Sequence, residues 1–219
     1  DWTGHETGPR SQETEAVVLH LDSLFGDLIS KLEQLPISNN LNIIALADHG
    51  MAEISSERTV DLSAYTEMSQ IIQEGSGPYA FLYSKKKNII EPAVDQLKKA
   101  EHISVYLKSD IPNRYHFKNH HRIKDALIVA DEGWYIQNQA ISSSSTAGEY
   151  IPTGGTHGYD NQLKSMHALF IAQGPAFKKD IVTEPFENVN IYPMIAHILG
   201  IDPSKNIDGN LNNIKHLLK

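Results

Sequence analysis

The run from Leu41 to Ala47 is almost continuously apolar and stops at Asp48-His49-Gly50. A strand with one wet face alternates apolar and polar residues. A run without alternation predicts a short strand buried on both faces, the habit of parallel sheets covered by helices. Just upstream, Val17, Leu21, Leu24, Leu28, Leu32 and Leu35 recur in steps of four and three, the period of one helical face, until Pro36 ends the pattern. Further strands are predicted at Tyr79–Tyr83, Ile103–Leu107, Ala126–Ala130 and His167–Ala172, and helices at Pro92–Ala100 and Val189–Leu199. The first of these helices has Pro in its opening turn and the second stops before Gly200, both common boundary signals. Alternation of the two element types predicts an α/β layered fold. Residues 111–155 read less regularly, with Ser142–Ser145 the most loop-like stretch.

With 219 residues, 40% of them hydrophobic and 21% charged, the chain is expected to form one domain or a large part of one. The formal charge of −8 repels nucleic-acid backbone, and Lys85-Lys86-Lys87 is an isolated basic run that reads as a solvated turn. No nucleic-acid-binding signal is present. No stretch approaches the ~20 apolar residues of a membrane-spanning helix. Cysteine is absent, so a metal site must be built from Asp, Glu and His. The first residue is not Met and already lies inside a motif, so an upstream segment is expected to precede it.

Three stretches hold candidate ligands. Asp1-Trp2-Thr3-Gly4-His5 sets a carboxylate and an imidazole four residues apart, near enough to meet one ion from a turn or one helical face. The same spacing also fits a solvated terminal segment. Asp48-His49 sits where the apolar strand gives way to a loop, which frees adjacent side chains from strand alternation and lets them converge; an acid and a histidine merely capping a strand end is the plainer alternative. Thr153-Gly154-Gly155-Thr156-His157-Gly158-Tyr159-Asp160-Asn161 is dense in glycine around a histidine, either a ligand-approaching loop or a flexible connection with its histidine in water. Together they offer two carboxylates and three imidazoles, a set suited to zinc more than to calcium or magnesium. Five ligands exceed one tetrahedral zinc and fall short of two, so a pair of metals with ligands outside this chain is expected.

The order D-W-T-G-H-E-T-G-P, A-D-H-G-M, G-T-H-G-Y-D-N resembles the catalytic domain of type I phosphodiesterases/nucleotide pyrophosphatases, within the alkaline phosphatase superfamily. Val105-Tyr106-Leu107-Lys108 with Ile111-Pro112, Asp131-Glu132-Gly133-Trp134, Gly174-Pro175-Ala176-Phe177 and Pro185-Phe186-Glu187-Asn188 extend the likeness from end to end. The resemblance implies an alkaline-phosphatase-like fold with a mostly parallel central sheet flanked by helices. It makes residues 1–219 the C-terminal part of a single phosphodiesterase catalytic domain that lacks its N-terminal part, with an insertion-like region around 111–155.

By the same resemblance two zinc ions are expected, one held by Asp1, His5 and His157 and the other by Asp48 and His49 with an upstream aspartate. The Thr or Ser nucleophile is also expected upstream; no residue here matches it, and Thr3 lies inside the ligand motif. The implied reaction is hydrolysis of phosphodiester or pyrophosphate bonds in nucleotides, or in related choline or lysophospholipid diesters, through a covalent phospho-Thr/Ser intermediate. A metal-dependent phosphomonoesterase and an inactive metal-binding fragment are the alternatives. The family implies an extracellular or periplasmic setting. Trp2 departs from the small polar residue usual at its position. Asp160 and Asn161 either orient ligands or stabilise a turn, and His116, His120 and His121 read as structural or surface histidines.

Overall fold

The computed structural model describes residues 1–137 and 153–219; Ser142–Ser145 lies outside the described residues. Two compact units are present, Asp1–His20 with His49–His167, and Leu21–Asp48 with Ala168–Lys219.

The first unit is organised around a four-stranded antiparallel sheet in the order β4-β5-β7-β6. These strands are β4 (Ile72–Glu74), β5 (Tyr79–Tyr83), β6 (Ile103–Leu107) and β7 (Ala126–Ala130). In β5 the pleat sends Ala80 and Leu82 into the core, both with no exposed surface, and turns Tyr79, Phe81 and Tyr83 to the other face. All five residues of the central strand β7 are buried, because both faces of the sheet are covered there. On one face lies helix α3 (Ile90–Leu97), which buries Ile90, Ala93, Val94 and Leu97 at the i, i+3, i+4, i+7 positions of one stripe. On the other, Ile111, Ile123 and the half-buried Tyr115 cover Leu127, Val129, Phe81 and Tyr106. Full burial of side chains such as Leu82, Leu97 and Ile128 contributes about 1.5–3 kcal/mol each.

Three smaller pieces complete this unit. A six-residue helix, α1 (Trp2–Thr7), lies against β9 (Gly154–Thr156), which pairs antiparallel with β2 (Ala52–Ile54). Strands β3 (Thr59–Val60) and β8 (Tyr135–Ile136) form a parallel pair.

The second unit pairs β1 (Ile43–Leu46) antiparallel with β10 (Phe170–Gln173). Its core gathers Phe177, Ile214, Leu217 and Leu218 with Met194 of helix α4 (Ile191–Leu199), which is closed at Gly200 in the left-handed conformation. Asn190 is buried but satisfied: its side-chain oxygen accepts from the Asn210 N–H at 2.8 Å and from the Asn213 amide at 3.3 Å, tying the C-terminal segment to the start of α4.

Several expectations need correction. Among the described residues β3–β8 is the only parallel pair of named strands, so the mostly parallel arrangement is not found in them, although the layered α/β class holds. Strand β1 is half-exposed, with Leu46 at 50%. An apolar run reports what a strand can bury; pairing direction is set by which strand comes alongside. The long helix is α2 (Gln12–Glu33), beginning earlier than the leucine pattern, since Ser11 accepts the Thr14 N–H at 3.1 Å as a cap. None of its residues is buried. The C-terminal strand begins at Phe170 rather than His167, because residues 164–166 form a 3-10 turn.

Candidate metal centre

Asp1 stands at the N-terminal boundary of α1, and the His5 N–H donates to the Asp1 carbonyl at 3.1 Å, closing one helical turn. Four-residue spacing on that turn puts both side chains on one face, with His5 Nε2 3.4 Å from Asp1 Oδ2. The third member arrives from a distant stretch of sequence: His157 follows β9 directly, and its Nε2 is 3.8 Å from Asp1 Oδ1. One donor atom from each of Asp1, His5 and His157 lies within 4.8 Å of the others.

Glycine makes this approach possible. A Cβ on Gly154, whose φ is +86°, would collide with the His5 carbonyl, and one on Gly155 would stand 2.6 Å from the Gly4 carbonyl and from Met51 Sδ. With no side chains there, α1 settles on β9 and His5 Nδ1 donates to the Gly155 carbonyl at 2.8 Å. That bond orients the ring and turns Nε2 toward Asp1, as a carbonyl on the other ring nitrogen commonly does for a ligating histidine.

His49 stacks on His157, with ring centroids 3.4 Å apart and planes 15° from parallel, and its Nδ1 meets the Gly50 carbonyl at 2.9 Å. Asp48 is exposed, two residues beyond β1, and belongs to the second unit. Among the described residues the only group of three or more potential ligands is Asp1, His5 and His157.

The donor set fits zinc. Two donors on a tetrahedral ion at about 2.0–2.1 Å stand about 3.4 Å from each other. Here His5 Nε2 is 3.4 Å from Asp1 Oδ2 and His157 Nε2 is 3.8 Å from the other carboxylate oxygen, and one donor atom taken from each residue falls within 4.8 Å of the others. A carboxylate with two imidazoles and no sulfur is also the donor chemistry of catalytic zinc sites, which keep a fourth position open.

The loop after His157 is held firmly. Tyr159 is buried and its hydroxyl donates to the Trp134 carbonyl at 2.9 Å; burial pushes the phenol well above its ordinary range. Asp160 touches none of the three ligands. Its carboxylate forms an ion pair with Arg114, accepts the Tyr115 hydroxyl at 2.9 Å and accepts the Gln162 N–H at 3.0 Å. Burial works to raise the Asp160 carboxyl, but the hydrogen bonds from Gln162, Tyr115 and Arg114 outweigh it and hold the group below the usual carboxylate range. The turn-stabilising role expected as one alternative is therefore observed, together with a long-range tie that nothing in the local sequence around Arg114 announces.

Trp2 is 76% exposed and projects to solvent. His120 and His121 lie side by side at 4.2 Å in the region beyond Tyr115, and neither they nor His116 join the cluster.

An α/β chain that brings one carboxylate and two imidazoles together in this way presents a candidate metal centre. The type I phosphodiesterase / nucleotide pyrophosphatase family matches residues 1–160, and the chain belongs to that family. It is 40% identical over 220 residues to the bis(5'-adenosyl)-triphosphatase of Mus musculus, a match covering 100% of this chain and 46% of that protein. Its structure resembles murine ectonucleotide pyrophosphatase / phosphodiesterase 5 with a TM-score of 0.85 at 33% identity, covering 100% of this chain and 56% of that one. The same murine protein, solved as an inactive threonine-to-alanine variant in complex with AMP, matches with a TM-score of 0.84, 33% identity and the same coverage. The chain thus spans about half the length of these relatives. No described helix is long and apolar enough to cross a membrane.

Proposed function

We propose that these 219 residues are the metal-binding, C-terminal part of a nucleotide pyrophosphatase/phosphodiesterase catalytic domain that hydrolyses a phosphodiester or pyrophosphate bond. The convergence of Asp1 and His5, on one helical turn, with the sequence-distant His157 carries the reading. Relatives named for bis(5'-adenosyl)-triphosphatase activity, and a structural relative in complex with AMP, support a nucleotide as the substrate class, and relatives named ectonucleotide pyrophosphatase/phosphodiesterase support an extracellular setting.

In this reading Asp1, His5 and His157 hold one zinc, and Asp48 and His49 supply ligands to a second. Zinc at such a pair of sites would neutralise charge on the attacking and departing oxygens and ease deprotonation of the nucleophile. The chain's own contribution is positional. His5, oriented by the Gly155 carbonyl, and His157, directly after β9, present imidazole nitrogens toward the Asp1 carboxylate. The nucleophile is a Thr or Ser hydroxyl matched by no residue here, and a covalent phospho-Thr/Ser intermediate divides the hydrolysis into two easier displacements.

Zinc binding and turnover test this together. The 219 residues alone are expected to bind zinc through Asp1, His5 and His157 without turning over substrate. Joined to a preceding segment that bears the nucleophile, they are expected to hydrolyse bis-(p-nitrophenyl) phosphate faster than the monoester, with activity lost to a chelator and restored by zinc. A preference for the monoester, or unchanged zinc affinity after His157→Ala, refutes the reading.

A further inference from the structure

We propose that Arg114, Asp160 and Tyr115 form a positioning clamp that sets where the His157 imidazole is held; this rests on the metal-centre reading above. His157, Gly158 and Tyr159 are the three residues between two fixed points. On one side β9 ends at Thr156, paired to β2 and packed on α1. On the other, Asp160 is gripped by Arg114 and by the Tyr115 hydroxyl, while Gln162 closes a turn on its remaining oxygen. Between them Tyr159 is buried and tied to the Trp134 carbonyl. A span this short transmits the position of its ends to the residue it carries.

The far side of the clamp is itself anchored. Ile111, 1% exposed, and Tyr115 pack on Leu127, Val129 and Phe81 of the sheet, so the turn that presents Arg114 is fixed to the core of the first unit. Arg114 lies over the Tyr115 ring at 4.5 Å, and its Nη2 donates to the Tyr115 hydroxyl at 3.2 Å, so Tyr115 holds the guanidinium beside Asp160. Its main-chain carbonyl also accepts from the Asn161 side chain at 3.4 Å. An unbroken chain of contacts therefore runs from the sheet through residues 111–115 to Asp160 and the His157 loop. Surface ion pairs are worth little, because solvent screens them and the side chains lose freedom. Here the side chains of Arg114 and Asp160 are only 30% and 28% exposed, and one carboxylate receives three donors. Zinc ligands must fall within about 0.2 Å of their preferred distances, so small freedom at the loop is costly to binding.

The test measures zinc affinity by competition with a chromophoric chelator, cobalt(II) visible spectra, and melting of the metal-free protein. The variants are His157→Ala, Arg114→Ala, Arg114→Lys and Asp160→Asn. His157→Ala is expected to lose the site. Arg114→Ala and Asp160→Asn are expected to bind zinc about tenfold more weakly, with shifted cobalt bands, as when the outer partners of metal ligands are removed. Arg114→Lys, which keeps the charge but not the fork, should fall between them and wild type. Wild-type affinity and spectra in Arg114→Ala and Asp160→Asn, with His157→Ala impaired, would overturn the proposal even if melting falls, because only a structural ion pair would remain. Should Arg114→Ala fail to fold, unchanged affinity in both Asp160→Asn and Arg114→Lys overturns it equally. Wild-type zinc affinity in His157→Ala instead refutes the metal centre itself.

Discussion

Replacing Gly154 with alanine perturbs the joint between α1 and β9 at a single atom. The residue has φ +86°, and the added Cβ would be driven into the His5 carbonyl. Holding alanine in such a backbone region costs about 1–3 kcal/mol. If α1 retreats to relieve the collision, the bond from His5 Nδ1 to the Gly155 carbonyl is lost as well, at about 1 kcal/mol. The expected destabilisation is therefore about 2–4 kcal/mol, read from urea unfolding followed by circular dichroism. Zinc affinity should fall with it, since retreat of α1 carries Asp1 and His5 away from His157. Gly26→Ala is the matched control, because Gly26 lies within α2 and an added methyl there would meet nothing within 4 Å; it should gain up to about 1 kcal/mol from helix propensity. A Gly154→Ala protein within about 0.5 kcal/mol of wild type, the spread of ordinary surface substitutions, and with unchanged zinc affinity, would show that α1 does not depend on the bare backbone of β9.

Ile128→Ala should cost about 2–5 kcal/mol by leaving a cavity at the centre of the sheet, where Ile128 has no exposed surface; chemical denaturation measures it. Tyr159→Phe keeps the buried ring but removes the donor to the Trp134 carbonyl, and should lower stability by about 1 kcal/mol in the same assay. The depressed Asp160 carboxyl has a defined sign: it contributes stability above its unfolded value near 3.8, and that contribution is lost as pH falls through the lower folded value. Acid titration of unfolding should therefore show a shallower loss below about pH 4 for Asp160→Asn than for wild type, and parallel curves would remove Asp160 from the acid limb.

Local pattern was enough for much of this protein. The strands at Tyr79–Tyr83, Ile103–Leu107 and Ala126–Ala130 have the boundaries that their apolar content predicts, because each packs at least one apolar face into the core of its own unit. The helix expected over Pro92–Ala100 appears as Ile90–Leu97, its proline tolerated in the first turn. Strands of two or three residues, such as β3, β8 and β9, went unseen, since so short a run has no periodicity to read. The face of α2 that the leucines mark is legible as amphipathic, yet none of its residues is buried in these 219 residues; a stripe states what a helix can cover, not what covers it.

The chain's ligand types, the spacing of Asp1 and His5, and the family likeness are all written along the sequence, because they depend on residue identity and on contacts four residues apart. The meeting of that pair with His157, the stacking of His49 on His157, and the grip of Arg114 and Tyr115 on Asp160 are decisions of the tertiary structure. Each joins residues at least 45 positions apart, a separation across which no helical or strand period carries information. What brings them together is the packing of a glycine-rich strand against a six-residue helix and of a short turn against a sheet.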